Sequence, residues 1–372
     1  MKGEHMKCKW ANGPLLKALL IICILFLKIQ MQAQTDSAKK AFTITGYAEG
    51  YYSYDFAEPP DKLKPPYLYS FNRHNEPNFN LLMLKGNYQT AMFRANAAFM
   101  AGTYSKYNLA QEPDVLRNIY ELNFGVRLGK KSIWFDAGVM PSHLGFESAI
   151  GKDCWNLTRS IMAENSPYYE TGVKLGYDSD NGKWYAAMLF LVGWQRMKPV
   201  EENSLPSFGT QVQYKPNAKL LLNSSSFIGT DKPDSARKMR YFHDLYAIFQ
   251  VNAKLGLQAA FDIGAEQEAK GSSSYNYWYT WVLGMKYNWN KRIATGFRLE
   301  YYQDKNGVIV STETGEEMNV FGASANLDVQ IFKKLLWRTE YRSFTGKGEQ
   351  FVKNGDPVQG NQAVTTSLAF YF

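Results

Sequence analysis

The last eleven residues, Gln362 to Phe372, most constrain what this chain can fold into. Val364, Thr366, Leu368, Phe370 and Phe372 share one face of a strand, and Ala363, Thr365, Ser367, Ala369 and Tyr371 share the other. This is strict period-two alternation, and the chain stops on an aromatic residue. Termini of soluble proteins usually lie loose in water. A terminal strand this apolar needs a pairing partner and a non-aqueous cover for its greasy face. A transmembrane barrel supplies both, because its last strand pairs with its first and faces lipid.

The other end of the chain agrees. Lys2, Lys7, Lys9 and Lys17 lead into the unbroken apolar run Ala18 to Leu27, and Met31-Gln32-Ala33 offers a small-residue cleavage site. Lys17 and Lys28 bracket ten apolar residues, too few for a spanning helix of ~20. Residues 1–33 are therefore expected to be a secretory signal peptide and residues 34–372 one outer-membrane β-barrel domain. Cys8 and Cys23 fall in the leader, so Cys154 is left alone and no disulfide framework within the chain is expected. Beyond the leader, 37 basic residues face 33 acidic ones, a net of +4. No basic cluster or RNA-binding motif stands out, so nucleic acid is not an expected partner.

Aromatic residues make up 15% of the chain and glycines number 29. Past the leader no apolar stretch is long enough for a membrane helix. Together these suit an all-β fold, a transmembrane antiparallel up-and-down barrel. Period-two stretches predict sixteen strands, roughly 42–54, 78–87, 92–102, 118–128, 132–140, 168–178, 183–195, 207–215, 219–229, 241–251, 254–265, 275–287, 293–303, 319–329, 335–345 and 362–372. Most approach the ~9–11 residues of a tilted membrane strand. Seven short turns alternate with eight long loops, which is what sixteen strands require when both ends lie on one side. Short turns belong to the periplasm and long loops to the exterior. Eighteen strands would follow if the first long loop, Phe56–Pro77, held a hairpin.

Each strand separates into two faces. Arg338, Glu340 and Arg342 alternate with Trp337, Thr339 and Tyr341; Arg298 and Glu300 alternate with Phe297, Leu299 and Tyr301. An Arg or Lys turned to lipid at the midplane costs ~2–4 kcal/mol, so the charged face must look inward. Sixteen strands leave an aqueous channel. The expected pore-lining residues are Glu49, Arg94, Glu121, Arg127, Asp136, Glu170, Lys174, Asp262, Arg298, Glu300, Arg338, Glu340 and Arg342. Their mixed signs argue against a strongly selective ring. Aromatic clusters at strand ends (Tyr51, Tyr52 and Tyr54; Tyr168 and Tyr169; Tyr275, Tyr277, Trp278 and Tyr279; Tyr287 and Trp289; Tyr301 and Tyr302) are expected to form interfacial girdles. The longest loop, Pro141–Pro167, carries Glu147, Lys152, Asp153, Arg159 and Glu164, with Phe146, Ile150 and Ile161 as apolar anchors. It is expected to fold inward as a constriction.

The stretch GVMPSHLGFESAIGKDCWNLTRSIMAENSPYYETGVKLGY, Gly138 to Tyr177, resembles the OmpL-like β-barrel porin family of Bacteroidetes-type bacteria. The opening GYAEGYYSYDF, Gly46 to Phe56, and PPYLYSFNRHNEPNFNLLML point the same way. The resemblance implies an outer-membrane location and pore activity, and it brings no catalytic or ligand residues.

No HExxH, GxSxG or paired-cysteine metal spacing occurs, so no enzyme activity, cofactor or metal is expected. His243-Asp244 and His143 are the only places to look for a rim hydrolase. The reading is a porin for passive diffusion of small hydrophilic solutes. Its expected partners are outer-membrane lipid, those solutes and the barrel-assembly machinery, met through the C-terminal strand ending at Phe372. A homo-oligomer is compatible with the sequence but unspecified by it. The alternatives are an occluded barrel acting as enzyme or adhesin, and a secreted soluble β protein that binds carbohydrate.

Overall fold

The computed structural model describes residues 41–372 apart from Asp114 and Lys130. The signal-peptide reading lies outside the described residues. Residues Phe42–Phe372 form one compact unit.

Among the described residues eighteen strands follow one another. They are β1 (Phe42–Asp55), β2 (Asn78–Gln89), β3 (Phe93–Ala101), β4 (Ile119–Arg127), β5 (Ile133–Pro141), β6 (Tyr169–Asp178), β7 (Trp184–Leu191), β8 (Ser207–Asn217) and β9 (Leu220–Gly229). Then come β10 (Arg240–Gln250), β11 (Leu255–Gln267), β12 (Tyr275–Asn288), β13 (Ile293–Asp304), β14 (Met318–Phe332), β15 (Leu335–Gly346), β16 (Phe351–Lys353), β17 (Asp356–Val358) and β18 (Gly360–Tyr371). Sixteen of them close into one antiparallel barrel, each beside its sequence neighbour, with β18 seated between β15 and β1. The two extra strands, β16 and β17, are a small hairpin in the last long loop, outside the barrel. The first long loop holds a single bridge, Leu63 to Arg73, and no strand pair. The barrel is therefore sixteen-stranded, not eighteen-stranded.

The eight long loops are named L1 (56–77), L2 (102–118), L3 (142–168), L4 (192–206), L5 (230–239), L6 (268–274), L7 (305–317) and L8 (347–359). L2 carries a short helix, α1 (Thr103–Asn108), and L3 another, α2 (Ile161–Glu164). Strand β7 stops at Leu191, four residues before the predicted boundary, because Gly193 and Trp194 turn into the barrel and become buried.

Alternation puts hydrocarbon outside. Leu283, Phe297, Leu299, Trp337, Tyr341, Leu368 and Phe370 are exposed on the outer wall. Their chain neighbours Val282, Arg298, Glu300, Arg338, Glu340, Arg342 and Ala369 are buried inside. An apolar exterior of this extent is what a hydrocarbon solvent calls for. The predicted girdles are only half girdle. Tyr52, Tyr277 and Trp289 face outward and exposed, but Tyr51, Tyr169, Trp278 and Tyr302 occupy the alternate, inward positions and are buried. Clustering at strand ends is shared by both faces, so it does not separate lipid contact from lumen packing.

Candidate functional site: the barrel lumen

L3 crosses the lumen and lies against β13, β14, β15 and β18. Its backbone would arrive there with unpaired carbonyls and N–H groups, and the wall charges satisfy them. Arg338 donates to Asp328 at 2.6 Å, to the Gly151 carbonyl at 2.6 Å and to the Cys154 carbonyl at 3.0 Å. Arg298 donates to Glu300 at 3.0 Å, to the Thr158 carbonyl at 2.7 Å and to Glu340 at 3.1 Å. Arg342 donates to Glu300 at 2.8 Å. In return Glu340 accepts from the Thr158 N–H at 2.6 Å, and Glu300 from the Ile161 N–H at 2.7 Å. Five of the thirteen predicted wall residues therefore sit buried beneath the loop. Glu49, on β1, is buried beside them and accepts from Asn80 at 3.3 Å and from Ser367 at 3.2 Å.

The loop residues divide similarly. Arg159 is buried and donates to the carbonyls of Ser148, Leu157 and Ala149 at 2.5, 2.6 and 3.0 Å. Glu147 accepts from the Ser160 N–H and hydroxyl, both at 2.7 Å. Glu164 accepts from the N–H groups of Tyr69 and Ser70 and so ties α2 to L1; burial pushes its carboxyl up to about 7. Lys152 and Asp153 pair at 2.6 Å at the loop tip and remain open to water. The loop fits so closely that a Cβ on Gly296 of β13 would stand 2.5 Å from the Trp155 carbonyl.

His143 pins the start of L3, and sequence reasoning did not assign it that part. Its Nδ1 meets Glu170 at 2.8 Å and its Nε2 meets the Ser226 carbonyl at 2.8 Å. Its own carbonyl accepts from Gln211 at 3.0 Å and from Ser225 at 2.9 Å. Burial pulls the imidazole down, but the Glu170 carboxylate outweighs this and holds it above its ordinary value. Both ring nitrogens face acceptors, so the imidazolium is the form the site favours. Asp262 faces Asp244 across the β10–β11 pair, and both are buried.

The loop-side half of the lumen holds a large apolar cluster, beside buried polar groups such as Asp55, Arg240, Glu266 and Asp304. Inward residues Leu189, Phe227, Phe242, Trp278, Tyr302 and Phe344 join Tyr67 and Leu68 of L1, Leu144 and Ile161 of L3, Trp194 of L4, Val310 of L7 and Phe351 of L8 in one cluster. Trp194 stands edge-on to Phe227 and Phe242, each 4.9 Å away between ring centres. In this conformation an aromatic plug fills the outer half. Sequence reasoning missed it; of Phe242, Trp278 and Tyr302 only Tyr302 lies in period two with a predicted inward residue, Glu300.

The turn-side half is polar and open. Arg94 pairs with Asp136 at 2.5 Å, Lys174 with the same carboxylate at 3.9 Å, and Lys85 with Glu121 at 2.5 Å. Lys286 pairs with Asp328 at 3.6 Å. Arg127 lines the same side, where its Nε donates to the Lys131 carbonyl at 3.1 Å. Lys85, Lys286 and Asp328 were not among the predicted lining residues. Period two alone places them inward.

The histidines suggest no shared reaction centre. His243 points to the outer wall, where Ser226 meets its Nδ1 at 2.8 Å, while its neighbour Asp244 faces the lumen. His143 is fully engaged as an anchor.

A closed sixteen-stranded barrel with lipid-facing hydrocarbon, ionic walls and an inward third loop defines the class of outer-membrane porins. The family model described as "Putative beta-barrel porin-2, OmpL-like" matches residues 41–372, and the chain belongs to that family. It is an outer-membrane porin. Among curated proteins nothing matches. The chain is similar to the outer membrane channel DcaP of Acinetobacter baumannii, with a TM-score of 0.60 and 11% identity over 90% of this chain and 99% of that one. It is similar to outer-membrane expressed OmpT of Vibrio cholerae, with a TM-score of 0.58 and 10% identity over 90% and 99%. It is also similar to an anion-selective porin from Comamonas acidovorans, with a TM-score of 0.58 and 9% identity over 89% and 99%. At these identities the likeness concerns the fold.

Proposed function

We propose that small hydrophilic solutes diffuse passively through this barrel along the wall opposite L3, past Arg94, Glu121, Arg127, Asp136 and Lys174. The observation that carries this reading is the division of the lumen. L3 covers the β13–β18 side, and water-accessible charged groups remain on the β2–β6 side. L3, with Glu147, Lys152, Asp153, Arg159 and Glu164, is the constriction. Glu49, Glu170, Asp262, Arg298, Glu300, Arg338, Glu340 and Arg342 act as its mount and the surrounding wall. The aromatic plug is the outer gate, opened when L4, L7 or L8 swings away. The chain acts as a channel and not as an enzyme. The C-terminal strand engages the assembly machinery before it closes on β1. Residues 34–372 act as one domain after removal of the leader. OmpT of Vibrio cholerae is described in a trimer form, which supports a homo-oligomer here. The test is single-channel recording in a planar bilayer. Stepwise conductance with frequent closures supports the reading, and a folded protein without conductance refutes it.

A further inference from the structure

We propose that the pore selects anions, and that the cations of its turn-side mouth do the selecting. The proposal rests on the porin reading above. In each lumen ion pair on the open side, the cation faces water and the carboxylate lies beneath it. Lys85 is 23% exposed over Glu121 at 5%. Arg94 at 28% and Lys174 at 22% cover Asp136 at 4%. Lys286 at 24% covers Asp328 at 9%. Long side chains do not explain the pattern, because Arg298 and Arg338 on the L3 side are 0% exposed. An ion in this half of the lumen therefore meets ammonium and guanidinium groups first.

The mouth continues the pattern. A cleft of about 300 Å³ at the turn-side end is lined by Lys152, Lys286, Lys291 and Arg292, against Asp153 and Asp328. Among the described residues of the seven turns there are eight lysines and arginines, all exposed, and one carboxylate, Asp180. Asp178, at the end of β6, adds a second exposed acid near that rim. A ring of one sign above low-dielectric walls concentrates its counter-ions and repels its co-ions. The ligand class is thus the small anion, carboxylate or phosphate in type, and the interaction is long-range steering without a tight site.

The experiment is the zero-current potential of reconstituted wild-type channels across a KCl gradient. The expected result is chloride over potassium by about threefold or more at low salt, shrinking toward unity at ~1 M, where the screening length falls to ~3 Å. The triple variant Lys286→Gln, Lys291→Gln, Arg292→Gln should bring the low-salt ratio at least halfway to unity. Conducting channels that prefer potassium, or show no preference at low salt, would overturn the inference and leave the porin reading intact. A chloride preference that ignores salt would overturn it too, and so would one unchanged in the folded triple variant. If that variant does not fold, the salt series on the wild type decides. A protein that never conducts would remove the porin reading and this inference with it.

Discussion

The Phe372 N–H donates to the Gly46 carbonyl at 3.1 Å, and the Gly46 N–H returns the bond to Phe372 at 3.2 Å. The final residue is thus locked to the first strand, and the register continues from Tyr47 against Tyr371 to Asp55 against Ala363. A Cβ on Gly46 would meet the Phe372 ring within 2.5 Å at Cζ. Gly46→Val should therefore weaken closure. We expect the heat-modifiable band of the folded barrel to melt at lower temperature, whereas Gly50→Ala on the same strand, whose Cβ would meet nothing nearer than the Phe79 ring at 3.6 Å, should lower the melt by far less.

Faces should differ sharply in their tolerance of charge. Leu283 is exposed on the outer wall of β12, and Gln213 lies inward on β8. Leu283→Arg is expected to cost ~2–4 kcal/mol in a lipid-reconstituted unfolding titration. Gln213→Arg, facing the polar lumen, should stay within about 1 kcal/mol.

Arg298 is the hub of the L3 mount. Arg298→Met removes the cation that stands among Glu300, Glu340 and Glu147. Loss of one partner from a buried charge cluster costs about 3–5 kcal/mol. We expect L3 to leave the wall, with a larger unit conductance and faster proteolysis at residues 148–160. An unchanged conductance in a folded variant would mean that L3 does not set the pore width.

Trp194 should behave as the bolt of the outer plug. Trp194→Ala deletes the ring between Phe227 and Phe242. The truncation costs about 3–5 kcal/mol of packing, all of it in the closed arrangement. The open fraction in single-channel records should rise while the conductance of the open step stays the same.

Acidity should affect the L1–L3 contact through Glu164. Its carboxyl titrates at about 7 in the folded state against an ordinary 4.5. A carboxyl raised on folding stabilises the docked form fully below pH ~4.5 and loses that contribution between ~4.5 and ~7. Hydrogen exchange at Tyr69 and Ser70 is therefore expected to quicken as pH rises from 5 to 8, beyond the intrinsic pH effect. Glu164→Gln should remove the additional dependence.

Much of the barrel was legible because period two is enforced by the solvent on each side. Arg338-Thr339-Glu340-Tyr341 reads as inward, outward, inward, outward, and that is how the strand stands. The strand count followed from the loop rhythm for the same reason. The plug was not legible. Trp278 and Tyr277 are adjacent aromatics, and only knowledge of which one shares a face with Thr280 and Val282 assigns Trp278 to the interior. The course of L3 was equally hidden. Its contacts join residues far apart in the chain, such as Thr158 with Glu340 and Gly151 with Arg338, and no local pattern encodes such pairs. The expectation of an inward fold rested on the loop's charges and on its apolar anchors Phe146, Ile150 and Ile161. It did not include charges spent on backbone carbonyls, as those of Arg159 are.

The orientation of the two faces carries everything else, and labelling reads it directly. A photoreactive probe confined to the hydrocarbon of a lipid-reconstituted barrel should mark Trp337, Tyr341, Leu368 and Phe370, and should leave Arg338, Glu340 and Ser367 unmarked. Label on Arg338 and Glu340 with Trp337 and Tyr341 spared would contradict the assignment of hydrocarbon outside and charge within.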